Sequence, residues 1–307
     1  MEVFTEEIHL ARQGKVTDSN HTRLGFDRII HGVYGRPLHL DGLNEWDLRR
    51  AVFLQRVRAL MAVYAPQGFT LYGSTALQTM GVALPHDLEQ WDRFHVLVPP
   101  GRVRPQRQMV TGHRTIYSPD ARFSINGFKF LHPIEHLLQI QGATDDQFIQ
   151  IAEGFLRRRN PILTIDDMRQ HLVSLKGRPG IQQARRVMKW VQPETDSINE
   201  TRTRLTLIRG GLPEPKVNCR VYSSSLSRNL HVDMGYEKEK LGVEYDGLVH
   251  VGDRRQMEMD ASRRRILLDE GWVIITATAV DLVNPLQLVR SVKATLYERR
   301  HHVRTSW

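Results

Sequence analysis

The chain has 307 residues, 40% of them hydrophobic and 25% charged, with a net charge of +9. That length exceeds one ordinary domain and fits two or three, in the composition range of globular, soluble proteins. No apolar run is long enough for a bilayer, the opening MEVFTEEIHL lacks the basic and apolar parts of a signal peptide, and the single cysteine, Cys219, excludes a disulfide framework or a cysteine-rich zinc site, so a cytoplasmic protein with no membrane partner is expected.

In chain order, residues 1 to about 50 read as two short helical stretches followed by IHGVYGRPLHL. There Gly32, Gly35 and Pro37 set a turn between Ile29-Ile30 and Leu38-Leu40, as the wing of a winged helix would. That makes 1–42 a winged-helix-like cap; a small helical cap with a terminal hairpin accounts for the same residues. Leu43 to Ala65 keeps a helical period that Pro66 ends. FTLYGSTALQTMGVALP then reads as a strand, a Gly73-Ser74 turn and a short helix with Ser74 as its cap. A Gly-Ser turn of this kind also opens nucleotidyltransferase sites, but those need two aspartates one residue apart on a nearby strand, and only Asp92 is offered.

Residues 94–131 alternate as strands, in FHVLVPP, QRQMVTGHRTIYS and ARFSINGFKFL. Arg102, Arg104, Arg107 and Arg114 fall in this almost acid-free segment, which makes it a candidate DNA-binding edge; a solvated basic face is the plainer account. Helices are expected over 133–140, 145–158, 165–174 and 181–190, with the run Arg157-Arg158-Arg159 among them. Gln192 to Asp196 breaks the pattern and is taken as a boundary, leaving a basic α+β domain over 43–192 and a further domain over 197–307.

In that last domain Ser197 and Glu200 have capping-box spacing and open a helix that ends at Gly210-Gly211. Leu230 to Tyr236 and Leu241 to Asp246 read as a hairpin joined by Glu237 to Lys240. Its alternation lets Asp233 and Glu244 meet across the strands. Two such carboxylates repel unless a cation lies between them, and a hard divalent metal is the simplest candidate. Arg255 to Glu270 then reads as a helix, Trp272 to Thr278 as an apolar strand and Pro285 to Arg299 as a last helix. The order from Ser197 is helix, three strands, helix, strand, helix, an α/β arrangement.

Asp233, VEYDG with Glu244 and Asp246, His250, Asp260-Ala261-Ser262-Arg263, Leu267 and Gly271-Trp272 together resemble the PD-(D/E)XK nuclease superfamily, in the branch related to the very-short-patch repair (Vsr) endonuclease. The resemblance covers roughly 197–299 and implies a restriction-endonuclease-like α/β domain that hydrolyses DNA with Mg²⁺ or Mn²⁺. Asp233, Glu244 and the backbone carbonyl of Tyr245 are then the expected metal ligands. Glu200 would orient the nucleophile or bind the metal through water, Asp246 or His250 would accept a proton, and Arg263 would hold a phosphate or steady Asp260. The superfamily lysine two residues after the second acid is replaced by Asp246, as the repair branch also lacks it. The region before it is more loosely similar to AbiEi-type antitoxins of abortive-infection systems, on Gly32-Val33-Tyr34, Ser74-Thr75-Ala76, Gly81, Pro85 and the basic strands. That similarity implies phage defence or a toxin-antitoxin role with a toxin or defence-system partner. The sequence leaves open a homodimer, and also a DNA-binding antitoxin or repressor whose nuclease fold no longer cuts.

Overall fold

The computed structural model describes residues 8–38, 41–114, 123–247 and 254–302. The fold is mixed α/β, and the chain divides into two compact units, Met1–Gly142 and Ala143–Trp307.

The first unit opens with β1 (Ile8–Leu10), β2 (Asp27–Ile30) and β3 (Val33–Gly35), an antiparallel sheet in the order β1-β3-β2. The turn between β2 and β3 uses Gly32 at φ +75°, a backbone angle that a side chain disfavours. The two expected helices before it are instead single 3-10 turns at Ala11–Gln13 and Thr22–Leu24, each stopped by a left-handed glycine. α1 (Glu45–Tyr64) begins where Asn44 accepts the Asp47 N–H, 2.9 Å, and buries Phe53, Val57 and Leu60. β4 (Thr70–Leu71) leads into α2 (Gly73–Met80), all eight residues of which are buried. Tyr72, whose side chain does not cap the helix, takes the cap position expected of Ser74, which lies inside the helix.

β5 (Phe94–Leu97) pairs antiparallel with β4 and parallel with β6 (Val110–His113). β7 (Phe123–Ile125) and β8 (Phe128–Phe130) form a hairpin over Asn126-Gly127, and α3 (Pro133–Leu137) follows.

The second unit begins with α4 (Asp145–Glu153), α5 (Ile165–Ser174) and α6 (Ile181–Val187). The sequence placed these helices before a boundary at 192–196, whereas by contacts the chain divides at Gly142. The reason is a buried polar network. Glu153 is 1% exposed and Arg204, on α7 (Ile198–Arg209), is fully buried; they pair at 2.5 Å. Thr201, Thr195 and the Gln192 N–H also donate to Glu153, and Arg204 reaches Glu214 and the Trp190 carbonyl. A charge pair so enclosed ties α4 to α7 across the expected linker.

α7 precedes the antiparallel strands β9 (Lys216–Ser223), β10 (Arg228–Tyr236) and β11 (Leu241–Tyr245). After α8 (Arg254–Asp269), β12 (Val273–Ala277) adds parallel to β11, giving the order β12-β11-β10-β9. α9 (Ala279–Val283), which the sequence did not suggest, and α10 (Leu286–His302) close the unit.

Both faces of this sheet are covered. Leu241, Val243 and Ala277 pack with Leu207 of α7 and with Leu288, Val292 and Leu296 of α10. On the other face Cys219, Val221 and Ile274 pack with Leu267 of α8 and with Trp272. β10 serves both: Leu230 and Val232 belong to the α8 side, Met234 and Tyr236 to the α7 side. Regular alternation would keep these four on one face. The strand therefore changes sides at Asp233, beside Asn218 of β9, whose φ is +46°. Irregularities of this kind re-aim a side chain locally.

Candidate active site

Extending the register Met234↔Val243 by one pair sets Asp233 opposite Glu244. Gly242, two residues before Glu244, faces Val232 and Ile274, so close that a Cβ would lie 2.6 Å from each. Alternation then puts Glu244 on the α8 side as well. Glu244 is 7% exposed and receives Arg263 of α8 through two nitrogens, at 2.5 and 3.3 Å. The same guanidinium donates to the His231 carbonyl. The cation expected between the hairpin carboxylates is thus supplied on Glu244's side by an arginine. Arg263 makes these bonds across α8 to the sheet.

Asp233 is treated differently. Its Oδ2 accepts the Tyr245 N–H at 3.0 Å. Burial, then the nearby Glu200, and then Glu244 push its pKa up to about 7, against the lowering effect of that N–H and of Arg263. Glu200 is also raised, chiefly by burial. Its carboxylate accepts the Asp196 N–H at 3.0 Å, while its own N–H donates to Ser197, 3.1 Å. The capping reading of Glu200 and its place beside Asp233 are therefore compatible. Two half-buried carboxylates thus lie near each other with pKa values raised chiefly by the cost of burying their charge.

These carboxylates line a cleft of about 480 Å³. Asp260 and Arg263 enter from α8, and Arg158, Arg159 and Arg228 stand at the rim. Arg158 is fixed by Asp196 through its Nε at 2.9 Å. Asn218 donates to Glu194, 2.9 Å, which turns the amide oxygen toward His231 Nδ1, 2.8 Å away. The proton of neutral His231 is accordingly assigned to Nδ1, leaving Nε2 as a proton acceptor. Burial, with Arg158 and Arg220 adding to it, holds His231 below its ordinary pKa. The sequence reading missed His231; a histidine two residues before the first acid was the available signal.

Other expected residues stand further out. Asp246 is exposed, with Arg264 at 3.8 Å, and its N–H donates to the Ala277 carbonyl, 2.8 Å. His250 lies outside the described residues. In the first unit Arg102, Arg104 and Arg114 are exposed and Arg107 is half-buried. Arg114 donates to the Arg102 carbonyl at 3.0 Å, which ties the loop after β5 to the end of β6.

Among the described residues no group of three or more His, Cys, Asp or Glu side chains is disposed to hold a metal ion. The expected ligand set is smaller: two carboxylates and the Tyr245 carbonyl. In an extended strand the N–H and C=O of one residue face the same neighbour. With its N–H on Asp233, the Tyr245 carbonyl is turned to that side too. The charge deficit at Asp233 and Glu200 fits a hard divalent cation with oxygen ligands, while Glu244 is already shared with Arg263.

Comparison with known proteins adds distant relatives. The chain is 24% identical over 138 residues to "Uncharacterized protein MT2308" of Mycobacterium tuberculosis (strain CDC 1551 / Oshkosh) and, to the same degree, to "Uncharacterized protein Rv2248" of strain ATCC 25618 / H37Rv. Each match covers 41% of this chain and 51% of the relative, so the chain spans about half the length of the curated relatives it matches. No family model and no solved structure matches it. Among the described residues no helix is long and apolar enough to cross a membrane.

Proposed function

We propose that the second unit is a metal-dependent DNA endonuclease or nickase of the PD-(D/E)XK type, Vsr-like in its branch. The observation that carries this reading is the juxtaposition of Asp233, Glu200 and Glu244 at the kink of β10, with Asp233 pushed up to about 7 by burial and then by its two acidic neighbours. Asp233, Glu244 and the Tyr245 carbonyl would hold Mg²⁺ or Mn²⁺, with Glu200 beside them. A bound divalent ion supplies neutralisation of the phosphoryl oxygens and a lowered pKa for the attacking water. The chain's own residues do the rest. Glu200, fixed by the Asp196 N–H, orients water; Arg263 positions Glu244; His231 Nε2 is able to take a proton where the superfamily would have a lysine.

A second reading, a DNA-binding antitoxin or repressor with a decayed site, is favoured by one observation: the Arg263 pair that occupies both oxygens of Glu244. In either case the basic first unit would grip DNA or a toxin or defence-system partner. Plasmid incubated with the full chain and Mg²⁺, Mn²⁺ or EDTA separates the two. The nuclease reading expects nicking or cutting with metal, lost in EDTA and in the Asp233→Ala and Glu244→Ala proteins. Cutting that survives both substitutions discards the assigned site, and tight DNA binding with no cutting selects the second reading.

A further inference from the structure

Away from the carboxylate cleft, and wholly within the first unit, two histidines meet on the sheet β4-β5-β6. The parallel register His95↔Thr111 and Leu97↔His113 puts His95 and His113 on one face, two positions apart along adjacent strands. Leu97 shares that face and packs with Tyr72 and Leu131, and the Tyr72 ring lies 5.2 Å from that of His113. Both histidines are half-buried. His95 Nδ1 and His113 Nε2 are 2.7 Å apart, and on the outer side of the pair His95 Nε2 lies 2.5 Å from Gln90 Oε1. An amide oxygen only accepts, so the proton of His95 is assigned to Nε2, and the lone pair of Nδ1 faces the N–H of His113. Burial, then His113 and Arg93, pushes His95 down to about 4, and burial with Arg104 lowers His113. Both rings are therefore neutral at neutral pH, with a single proton between them.

We propose that His95 Nδ1 and His113 Nε2 are the ligands of a divalent late transition metal of the nickel or copper kind, with Gln90 holding His95 in the ligating tautomer. Neutral imidazole nitrogens suit such ions and not Mg²⁺, so this site is separate in place and in chemistry from the carboxylates of the second unit. A metal-bound histidine commonly donates its other N–H to an oxygen, and Gln90 accepts that bond from His95. The spacing selects the ion. With metal–nitrogen bonds of about 2.0–2.1 Å, two imidazole nitrogens sit about 2.9 Å apart at a right angle and about 3.3 Å apart at a tetrahedral one. The observed 2.7 Å lies nearer the right angle of a square-planar or octahedral ion than the tetrahedron of Zn²⁺. As the ion takes Nε2, His113 carries its proton on Nδ1 instead, so both rings stay neutral and no net proton is released. Among the described residues no third His, Cys, Asp or Glu joins the pair. The remaining positions on the ion go to water or to an anionic donor, which the exposed Arg93 and Arg104 favour.

The test is calorimetric titration of Ni²⁺, and separately of Zn²⁺, into the full chain at neutral pH, with millimolar Mg²⁺ present to keep the carboxylate cleft out of the measurement. One equivalent of Ni²⁺ should bind, more tightly than Zn²⁺ and without net proton release. His95→Gln and His113→Gln should each weaken it at least roughly 100-fold and Gln90→Ala about 10-fold, whereas His86→Gln/His301→Gln, a control on exposed histidines, should change it less than about 3-fold. With one equivalent of Cu²⁺, electron paramagnetic resonance should show two coupled imidazole nitrogens in the wild type and one or none in either histidine variant. Gln90 is exposed, so its variant and the wild-type spectrum read the site even where a histidine variant loses its fold. No binding, binding that both histidine variants leave unchanged, or a wild-type spectrum without two imidazole nitrogens overturns the proposal, and Zn²⁺ binding tighter than Ni²⁺ overturns the choice of ion. Plasmid cutting in Mg²⁺ bears on the carboxylate cleft alone, so the two readings fail separately.

Discussion

Two clusters of buried carboxylate and arginine sit in the second unit, and they are resolved in opposite ways. At Glu153 and Arg204 one guanidinium, two threonine hydroxyls and a backbone N–H converge on the acid, whose pKa burial still raises, and the arginine has a second carboxylate and a carbonyl, though its buried Nε has no hydrogen-bond partner among the described residues. At the kink of β10 Arg263 is committed to Glu244 and Arg158 stands near Glu200, while Asp233 accepts a backbone N–H and has its pKa raised, by burial first and then by Glu200 and Glu244. Several hydrogen bonds converging on one acid mark a structural joint. The sparser pairing at Asp233 is what the proposed cation would complete.

The largest effect should come from the compensated cluster. Glu153→Ala leaves Arg204 enclosed without its main partner and should cost about 3–5 kcal/mol of stability, read by urea denaturation. Less than about 1 kcal/mol would mean that the joint between α4 and α7 is not electrostatic.

Asp233→Asn should act with the opposite sign. The folded pKa of about 7 lies above the ordinary carboxylate value of 3.8, so the folded protein keeps a proton that the unfolded chain has released between those values. The acid form therefore contributes stability below pH 3.8 that is lost as pH rises through about 7. Asparagine removes the loss and still accepts the Tyr245 N–H. The variant should gain up to about 4 kcal/mol over wild type at pH 8 without metal, and almost nothing near pH 3.5. Thermal melts at the two pH values check this.

Arg263→Met should cost about 2–3 kcal/mol in EDTA, because Glu244 loses the guanidinium it pairs with while remaining enclosed. Millimolar Mg²⁺ should return part of that loss, since a divalent ion can take the guanidinium's place. The same melt with and without Mg²⁺ decides it. Smallest is Ser197→Ala, which removes the cap of α7 and should cost about 1 kcal/mol at any pH.

Much of this site was legible in the sequence because its parts are local. The turn Glu237 to Lys240 sets the hairpin register, and period-two alternation then brings Asp233 opposite Glu244. The helix starting after Ser197 and the α8–β12 segment were readable from caps and apolar spacing. Docking was not readable. Arg263 is three residues from Asp260 on its own helix, yet it reaches across to Glu244 and the His231 carbonyl, a choice made by how α8 lies on the sheet. Nor does alternation foretell that β10 changes faces at Asp233. Glu153 was missed for a related reason, although it stands one turn after Ile149 on the apolar side of α4, where an acid asks for a buried partner. At the chain's start, short polar stretches with helical spacing became 3-10 turns because Gly14 and Gly25 stop each after three residues.

The measurement closest to the central claim is calorimetric titration of Mn²⁺ or Mg²⁺ into the full chain at pH 7, run in two buffers of different ionisation enthalpy, with Asp233→Asn alongside. Saturable binding that releases protons in the wild type, and is lost in the variant, is the result expected of carboxylates that lack a cation. No binding, or binding that the asparagine leaves unchanged, would contradict it.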